Sequence, residues 1–197
     1  PGASTYERVR RLLASEGVSL PEASGYARHS VEMPLFDPAR VDVRFAAEGD
    51  EVAVGSRRFR VVEVPGHTPG SLALFDPVSR ILFGGDHVLF VISPGIALFP
   101  DGRDGLQAYL DSLEKVRALG CSRLFAAHGD ERADFEARID WLRAHHLERL
   151  EEAQAIVRAR PGLSGEEAVR AIKWNVPFER WEDISFMQRW CIVMEAP

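Results

Sequence analysis

Between residues 51 and 85 the chain carries four short runs of β-branched and aromatic residues, separated by glycine and proline turns. Runs this short suit strands and are too short for stable helices. Because only a few residues separate consecutive runs, the pattern predicts a strand meander. The four predicted strands are Glu51–Gly55, Phe59–Val64, Leu72–Phe75 and Ile81–Phe83.

Helical patterns surround this meander and alternate with one more strand, which together predict an α/β fold. Asp104, with Gln107 as its capping-box partner, begins an amphipathic helix that ends at Gly120. The remaining elements, in chain order, are a short helix over Thr5–Glu16, an irregular connection over Val18–Pro38, a strand over Arg123–Ala127, a long helix from Phe135 to Val157, a helix begun by a Ser164/Glu167 capping box, and a last helix over Ile184–Glu195.

Length and charge limit the organisation and the partners of the protein. The 197 residues allow one full domain plus an appendage, which we assign to residues 1–150 and 151–197. The net charge of -6 argues against an extended positively charged surface that binds nucleic acid or anionic lipid. The two cysteines form no metal motif, and the longest apolar run is too short to cross a bilayer. We therefore expect a cytoplasmic protein without membrane contact.

Three potential metal ligands each follow a predicted strand in a glycine-containing turn. They are His67 in PGHTPGS, Asp86 in GGDH and His128 in AAHGD. Strand ends that lead into such turns present side chains to a shared cleft. Imidazole and carboxylate groups suit zinc, iron or manganese. A single histidine after a strand is more often a structural or surface residue, and it is the combination that favours a metal site.

In this order and spacing, the three motifs resemble the second half of a metallo-β-lactamase-fold hydrolase. The resemblance implies the C-terminal half of an αβ/βα sandwich, followed by a small helical, winged-helix-like appendage. It also implies two divalent metal ions, zinc first with iron or manganese as alternatives. His67 would bind the first ion, Asp86 would bridge both, and His128 would bind the second. A metal-bound hydroxide would then attack the substrate.

The sequence departs from that family upstream of His67, where the expected His-x-His-x-Asp-His motif is absent. The only upstream histidine is His29, which stands alone. We interpret this chain as lacking the N-terminal half of the fold; the other interpretation is a degenerate relative. Three protein ligands shared between two metal positions would bind metal weakly or incompletely.

Three functional hypotheses follow. The first is a hydrolase of a small-molecule ester or thioester, with a homodimer left open. The second keeps the fold and makes the protein a phosphodiesterase or single-strand endoribonuclease. The third is a non-catalytic binding or scaffold protein that has lost its metal site.

Other conspicuous residues have simpler explanations. His87 follows Asp86 directly, and because adjacent side chains usually point apart we expect it to support the turn rather than bind metal. His145 and His146 lie in a helix, where a solvated or hydrogen-bonded role is the default. The segment Leu89–Pro100 could form an apolar wall of the pocket. The four tryptophans, which we expect to be used for packing, are Trp141, Trp174, Trp181 and Trp190.

Overall fold

The computed structural model describes residues 11, 14, 44–90, 93–97, 99, 102–129 and 132–173. The predicted connection Val18–Pro38 and the predicted last helix Ile184–Glu195 lie outside these residues, as do His29 and Trp174, Trp181 and Trp190. Within the predicted helix Thr5–Glu16, only Arg11 and Ala14 are described, and both are helical.

The described residues belong to two compact units. Residues 45–148 form one unit, and residues 1–44 together with residues 149–197 form the other. The winged-helix-like character of the C-terminal appendage and its boundary at residue 150 stay predictions.

The larger unit is built on a five-stranded sheet in the order β1-β2-β3-β4-β5. The first four strands form the predicted antiparallel meander, and β5 pairs in parallel with β4. Strand β2 begins two residues before its predicted start, because Arg57 and Arg58 complete the hairpin ladder with Val54 and Ala53. The strands are β1 (Glu51–Val54), β2 (Arg57–Glu63), β3 (Leu72–Asp76), β4 (Ile81–Gly85) and β5 (Arg123–Ala126).

The helices with defined bounds among the described residues are α1 (Gly105–Ala118), α2 (Phe135–Ala159) and α3 (Gly165–Ala171). Asp104 caps α1 as predicted, but Gln107 bonds to Asp111 instead of returning to the cap. The reciprocal Ser164/Glu167 capping box is confirmed in full. Among the described residues, no helix is both long enough and apolar enough to cross a membrane.

The core of the larger unit lies between one face of the sheet and the two helices α1 and α2. Alternate residues of the strands point into it, as expected for a sheet with one covered face. The buried residues of this core include Val62, Ala73, Phe75, Leu82, Leu124, Tyr109, Leu113, Val116, Phe135, Ile139 and Leu142.

The other unit is held locally by polar contacts between the end of α2 and the residues that follow α3. Glu152 accepts a hydrogen bond from the backbone N–H of Lys173 at 2.7 Å. Arg149 donates to the Lys173 carbonyl and also pairs with Glu152. Val169 and Ile172 provide its buried apolar side chains.

Helix α1 packs directly on the turn that follows β2, and this contact depends on Gly66. The residue has φ +143°, a conformation that glycine adopts readily and other residues rarely do. A Cβ atom added there would lie 2.5 Å from Tyr109 Cβ and 2.8 Å from Tyr109 Cα. The helix can approach this closely only because residue 66 has no side chain.

We therefore expect Gly66→Ala to lower the free energy of unfolding by roughly 2–4 kcal/mol, from steric overlap combined with backbone strain. Gly70→Ala is the matched control, because a Cβ atom there meets nothing within 4 Å. Urea denaturation of both variants measures the difference. Equal stability of the two variants would show that α1 does not depend on this close approach.

Asp76 organises the tight turn between β3 and β4. Its carboxylate accepts hydrogen bonds from the Ser79 hydroxyl at 2.7 Å, from the backbone N–H groups of Val78 and Ser79, and from Arg57 at 2.7 Å. These contacts, the Ser79 hydroxyl first, lower the pKa of Asp76 to about 2. The ionised form therefore stabilises the folded chain.

The stabilisation from Asp76 is present above its unfolded pKa of about 4 and disappears as the pH falls towards 2. We expect Asp76→Asn to lower the urea midpoint at pH 7, with the gap to wild type narrowing between pH 5 and pH 2 as the wild-type carboxylate is protonated. Denaturation curves at pH 7, 5 and 3 measure the gap. A constant gap across this range would contradict the assignment.

Candidate metal centre

The sheet topology brings the three predicted ligand positions to one edge. Strand β3 runs antiparallel to both β2 and β4, and β5 runs parallel to β4. Strands β2, β4 and β5 consequently point in the same direction, and their carboxyl ends lie at the same edge. His67, Asp86 and His128 each follow one of these ends within four residues.

His67 lies in a turn whose backbone is closed by several hydrogen bonds. Val64 N–H donates to the Ser71 carbonyl at 2.9 Å, and the Thr68 and Ser71 hydroxyls lie 2.8 Å apart. His67 Nδ1 is 2.8 Å from the carbonyl oxygen of Gly95. Since a carbonyl oxygen can only accept, Nδ1 carries the hydrogen, and the neutral ring has its lone pair on Nε2.

Asp86 is the first residue after β4, and its turn is fixed from both sides. Gly85 adopts φ +57°, and the Gly85 carbonyl accepts a hydrogen bond from Ala127 N–H at 2.9 Å. The end of β5 is thereby tied to the residue before Asp86. The Asp86 Oδ1 atom is buried and accepts no hydrogen bond of good geometry from the described residues, although His128 Nε2 lies 3.2 Å away.

His128 follows β5 in a loop that folds back on its own strand. Leu124 and Arg132 exchange two backbone hydrogen bonds, of 2.9 and 3.0 Å, and these hold the ends of the loop together. His128 Nε2 lies 3.2 Å from Asp86 Oδ1, and His67 Nε2 lies 3.9 Å from Asp86 Oδ2. The two imidazoles therefore approach different oxygens of one carboxylate.

These distances resemble those between two ligands of a single ion. Zinc bonds of about 2.0–2.2 Å at a tetrahedral angle separate two ligand atoms by about 3.4 Å. Within the part of the chain that the structure describes, however, no three His, Cys, Asp or Glu side chains form a group that could hold a metal ion. The described geometry is two imidazole–carboxylate pairs that share Asp86, which we call the two candidate half-sites.

The three described histidines that were not predicted as metal ligands each contact an aromatic ring. The His87 side chain is buried, with its ring 5.2 Å from the Tyr109 ring in an edge-to-face contact. Burial lowers the pKa of His87 to about 4, and the backbone of Ser112 opposes part of that shift. His146 is also buried and packs on Tyr109, whereas His145 stacks on the half-exposed Trp141.

Two contributors to the centre have no clear signal in the sequence. The Gly95 carbonyl orients His67, and the predicted pocket wall Leu89–Pro100 contains that residue without singling it out. Tyr109 contacts both the turn after β2 and the turn after β4, although its place in the helical pattern marks it only as a core residue. For Gly95, the sequence signal was the Pro94-Gly95 pair inside an apolar loop. For Tyr109, the sequence carries no signal beyond its core position.

Comparison with known proteins agrees with this architecture. Residues 7–128 match the metallo-beta-lactamase superfamily. A hydroxyacylglutathione hydrolase of Rhodospirillum rubrum is 39% identical over 108 residues, which are 54% of this chain and 38% of that protein. The acyl-coenzyme A thioesterase MBLAC2 of Gallus gallus is 37% identical over 83 residues, which are 42% of this chain and 28% of that protein. The chain thus spans less than half the length of these relatives.

Solved structures show the same similarity. A metallo-beta-lactamase family protein from Thermus thermophilus superposes with a TM-score of 0.75 at 25% identity, over 98% of this chain and 57% of that one. A beta-lactamase domain protein from Burkholderia ambifaria gives a TM-score of 0.75 at 30% identity, over 93% of this chain and 52% of that one. On the match over residues 7–128, the chain belongs to the metallo-beta-lactamase superfamily.

Proposed function

We propose that this chain is part of a metal-dependent hydrolase of thioesters or esters, in which His67, Asp86 and His128 are ligands of two divalent ions. Asp86 is the shared ligand, and zinc is the ion we propose first. One observation carries the proposal: the Asp86 carboxylate lies between two imidazole Nε2 atoms, 3.9 Å from that of His67 and 3.2 Å from that of His128.

The electrostatics of this arrangement favour a cation. His67 Nε2 presents a lone pair towards a carboxylate oxygen, because the ring hydrogen is used on Gly95. Two acceptors that face each other are stabilised by a positive group between them, and the Asp86 carboxylate also lies 3.2 Å from a second imidazole atom, His128 Nε2. A divalent ion would satisfy both atoms, and imidazole with carboxylate is a donor set that suits zinc, iron or manganese.

The surroundings of the ligands are also suitable for catalysis. Bound divalent ions would supply Lewis acidity, which polarises a substrate carbonyl and makes water a nucleophile at neutral pH. The side chains of His67, Asp86 and His128 are 39%, 35% and 68% exposed, so a substrate can reach them. The Gly95 carbonyl holds the His67 ring in the tautomer that leaves Nε2 available.

The choice of a thioester rests on the relatives and on charge. A hydroxyacylglutathione hydrolase and an acyl-coenzyme A thioesterase are both named for thioester cleavage. The net charge of -6 disfavours a nucleic-acid substrate. We also propose a cytoplasmic location, because a free thiol such as that of Cys121 stays reduced there. A homodimer stays a prediction.

Metal binding tests the ligand assignment. We expect Asp86→Asn to weaken Zn²⁺ binding at both half-sites by at least about 100-fold, because loss of a residue that merely orients a ligand already costs 10–100-fold. His67→Gln and His128→Gln should each weaken one half-site more than the other. Competition titration with a chromophoric chelator measures the affinities, and Asp111→Asn and His145→Gln are the matched controls. Unchanged Zn²⁺ binding by Asp86→Asn would remove that residue from the ligand set.

The substrate class needs a separate assay on the gene product in its natural length. We expect turnover of acyl-coenzyme A or acyl-glutathione thioesters, and a loss of more than about 100-fold in Asp86→Asn when the metal ions that activate water are no longer held. Single-stranded RNA is the competing substrate in the same assay. Cleavage of RNA alone, abolished by His67→Gln, would replace the thioesterase proposal with the nuclease alternative. Absence of both activities in a metal-loaded protein would favour a binding role.

A further inference from the structure

We infer that Tyr109 and Ser112 of α1 are positioning residues that set the separation between the two ligand-bearing turns, the one after β2 and the one after β4. The inference rests on the proposed metal centre but concerns residues that would not touch the ions. Each residue contacts the backbone of a turn that carries a proposed ligand. Both side chains are buried, and they lie three residues apart on one face of α1.

Tyr109 holds the backbone of the turn that carries Asp86 through a hydrogen bond. Its hydroxyl donates a hydrogen bond of 2.9 Å to the carbonyl oxygen of His87, the residue directly after Asp86. Its ring meets the His87 ring edge to face at 5.2 Å. The side chain is fully buried, so water cannot replace the hydroxyl if it is removed. A phenylalanine would fill the same space and leave the His87 carbonyl without this donor.

The same helix contacts the backbone of the turn that carries His67 through Ser112. Ser112 Oγ lies 3.0 Å from the carbonyl oxygen of Pro65 and 2.7 Å from that of Ala108, so its hydrogen is shared between the two acceptors. The Tyr109 backbone and Cβ also occupy the space beside Gly66. Any displacement of α1 would therefore move the backbone immediately before His67.

Besides the sheet that carries both strands, the two turns consequently share one further element, the helix α1. His67 Nε2 and Asp86 Oδ2, which are 3.9 Å apart, lie on turns that α1 contacts through Tyr109 and Ser112. On its other side, the Tyr109 ring meets His146 of α2 edge to face at 5.3 Å, which restricts its movement. A shift of about 1 Å between ligands is large compared with the tolerance of a metal site.

Removal of each hydroxyl tests the inference. Tyr109→Phe should weaken Zn²⁺ binding by about tenfold or more, and Ser112→Ala by less because its hydrogen bond is shared. Ser112→Thr, which keeps a hydroxyl, should restore the affinity. Val116→Ala is the matched control, because it removes buried volume from the same helix four residues beyond Ser112. We expect this control to lower the denaturation midpoint while leaving the Zn²⁺ affinity unchanged.

Backbone amide hydrogen exchange on the metal-free chain is a second readout that does not require metal. Tyr109→Phe should accelerate exchange at residues 86–88, and Ser112→Ala at residues 66–68, whereas Val116→Ala should leave both segments at wild-type rates relative to the global opening rate. If the wild type binds no Zn²⁺ but the exchange pattern holds, the metal centre fails and the positioning role stands. If Zn²⁺ affinity and exchange in Tyr109→Phe match either wild type or Val116→Ala, the positioning role is overturned.

Discussion

The parallel pairing of β4 with β5 is the constraint on which the rest of the larger unit depends. Parallel neighbours cannot be joined by a hairpin, so the chain between Gly85 and Arg123 must cross the sheet and return. Helix α1 lies in that connection and covers the core face. The same pairing places the residues after β4 and β5 side by side, which brings Asp86 and His128 together.

Hydrogen bonds hold the backbone of the turns that carry the proposed ligands. The turn of His67 is closed by its own hydrogen bonds, the Gly95 carbonyl holds the ring, and the Tyr109 hydroxyl satisfies the His87 carbonyl. Among the described residues, both ring nitrogens of His87 are buried without a hydrogen bond, and so is Asp86 Oδ1, which lies 3.2 Å from His128 Nε2. A fold in which buried polar groups are generally paired retains such atoms at the cost of stability, and this is typical of functional sites.

Much of the described secondary structure was predictable because its signals are local. The meander, the Asp104 cap, the Ser164/Glu167 box and the position of His67 after a strand all depend on residues a few places apart. The direction of β5 was not predictable in this way, because a four-residue strand carries no information about its partner. The roles of Gly95 and Tyr109 were missed for a related reason: each acts on a residue more than 20 positions away.

The sequence by itself determined which residue types stand at the ends of which strands, since hydrophobic period, turn chemistry and glycine placement are written in neighbouring positions. Only the tertiary structure decided that the ends of β2, β4 and β5 meet at one edge of the sheet. It also brought two imidazoles close to different oxygens of the Asp86 carboxylate. It also decided that a core tyrosine touches both ligand-bearing turns. Distances between residues remote in the chain follow from packing and strand pairing, which the local pattern does not specify.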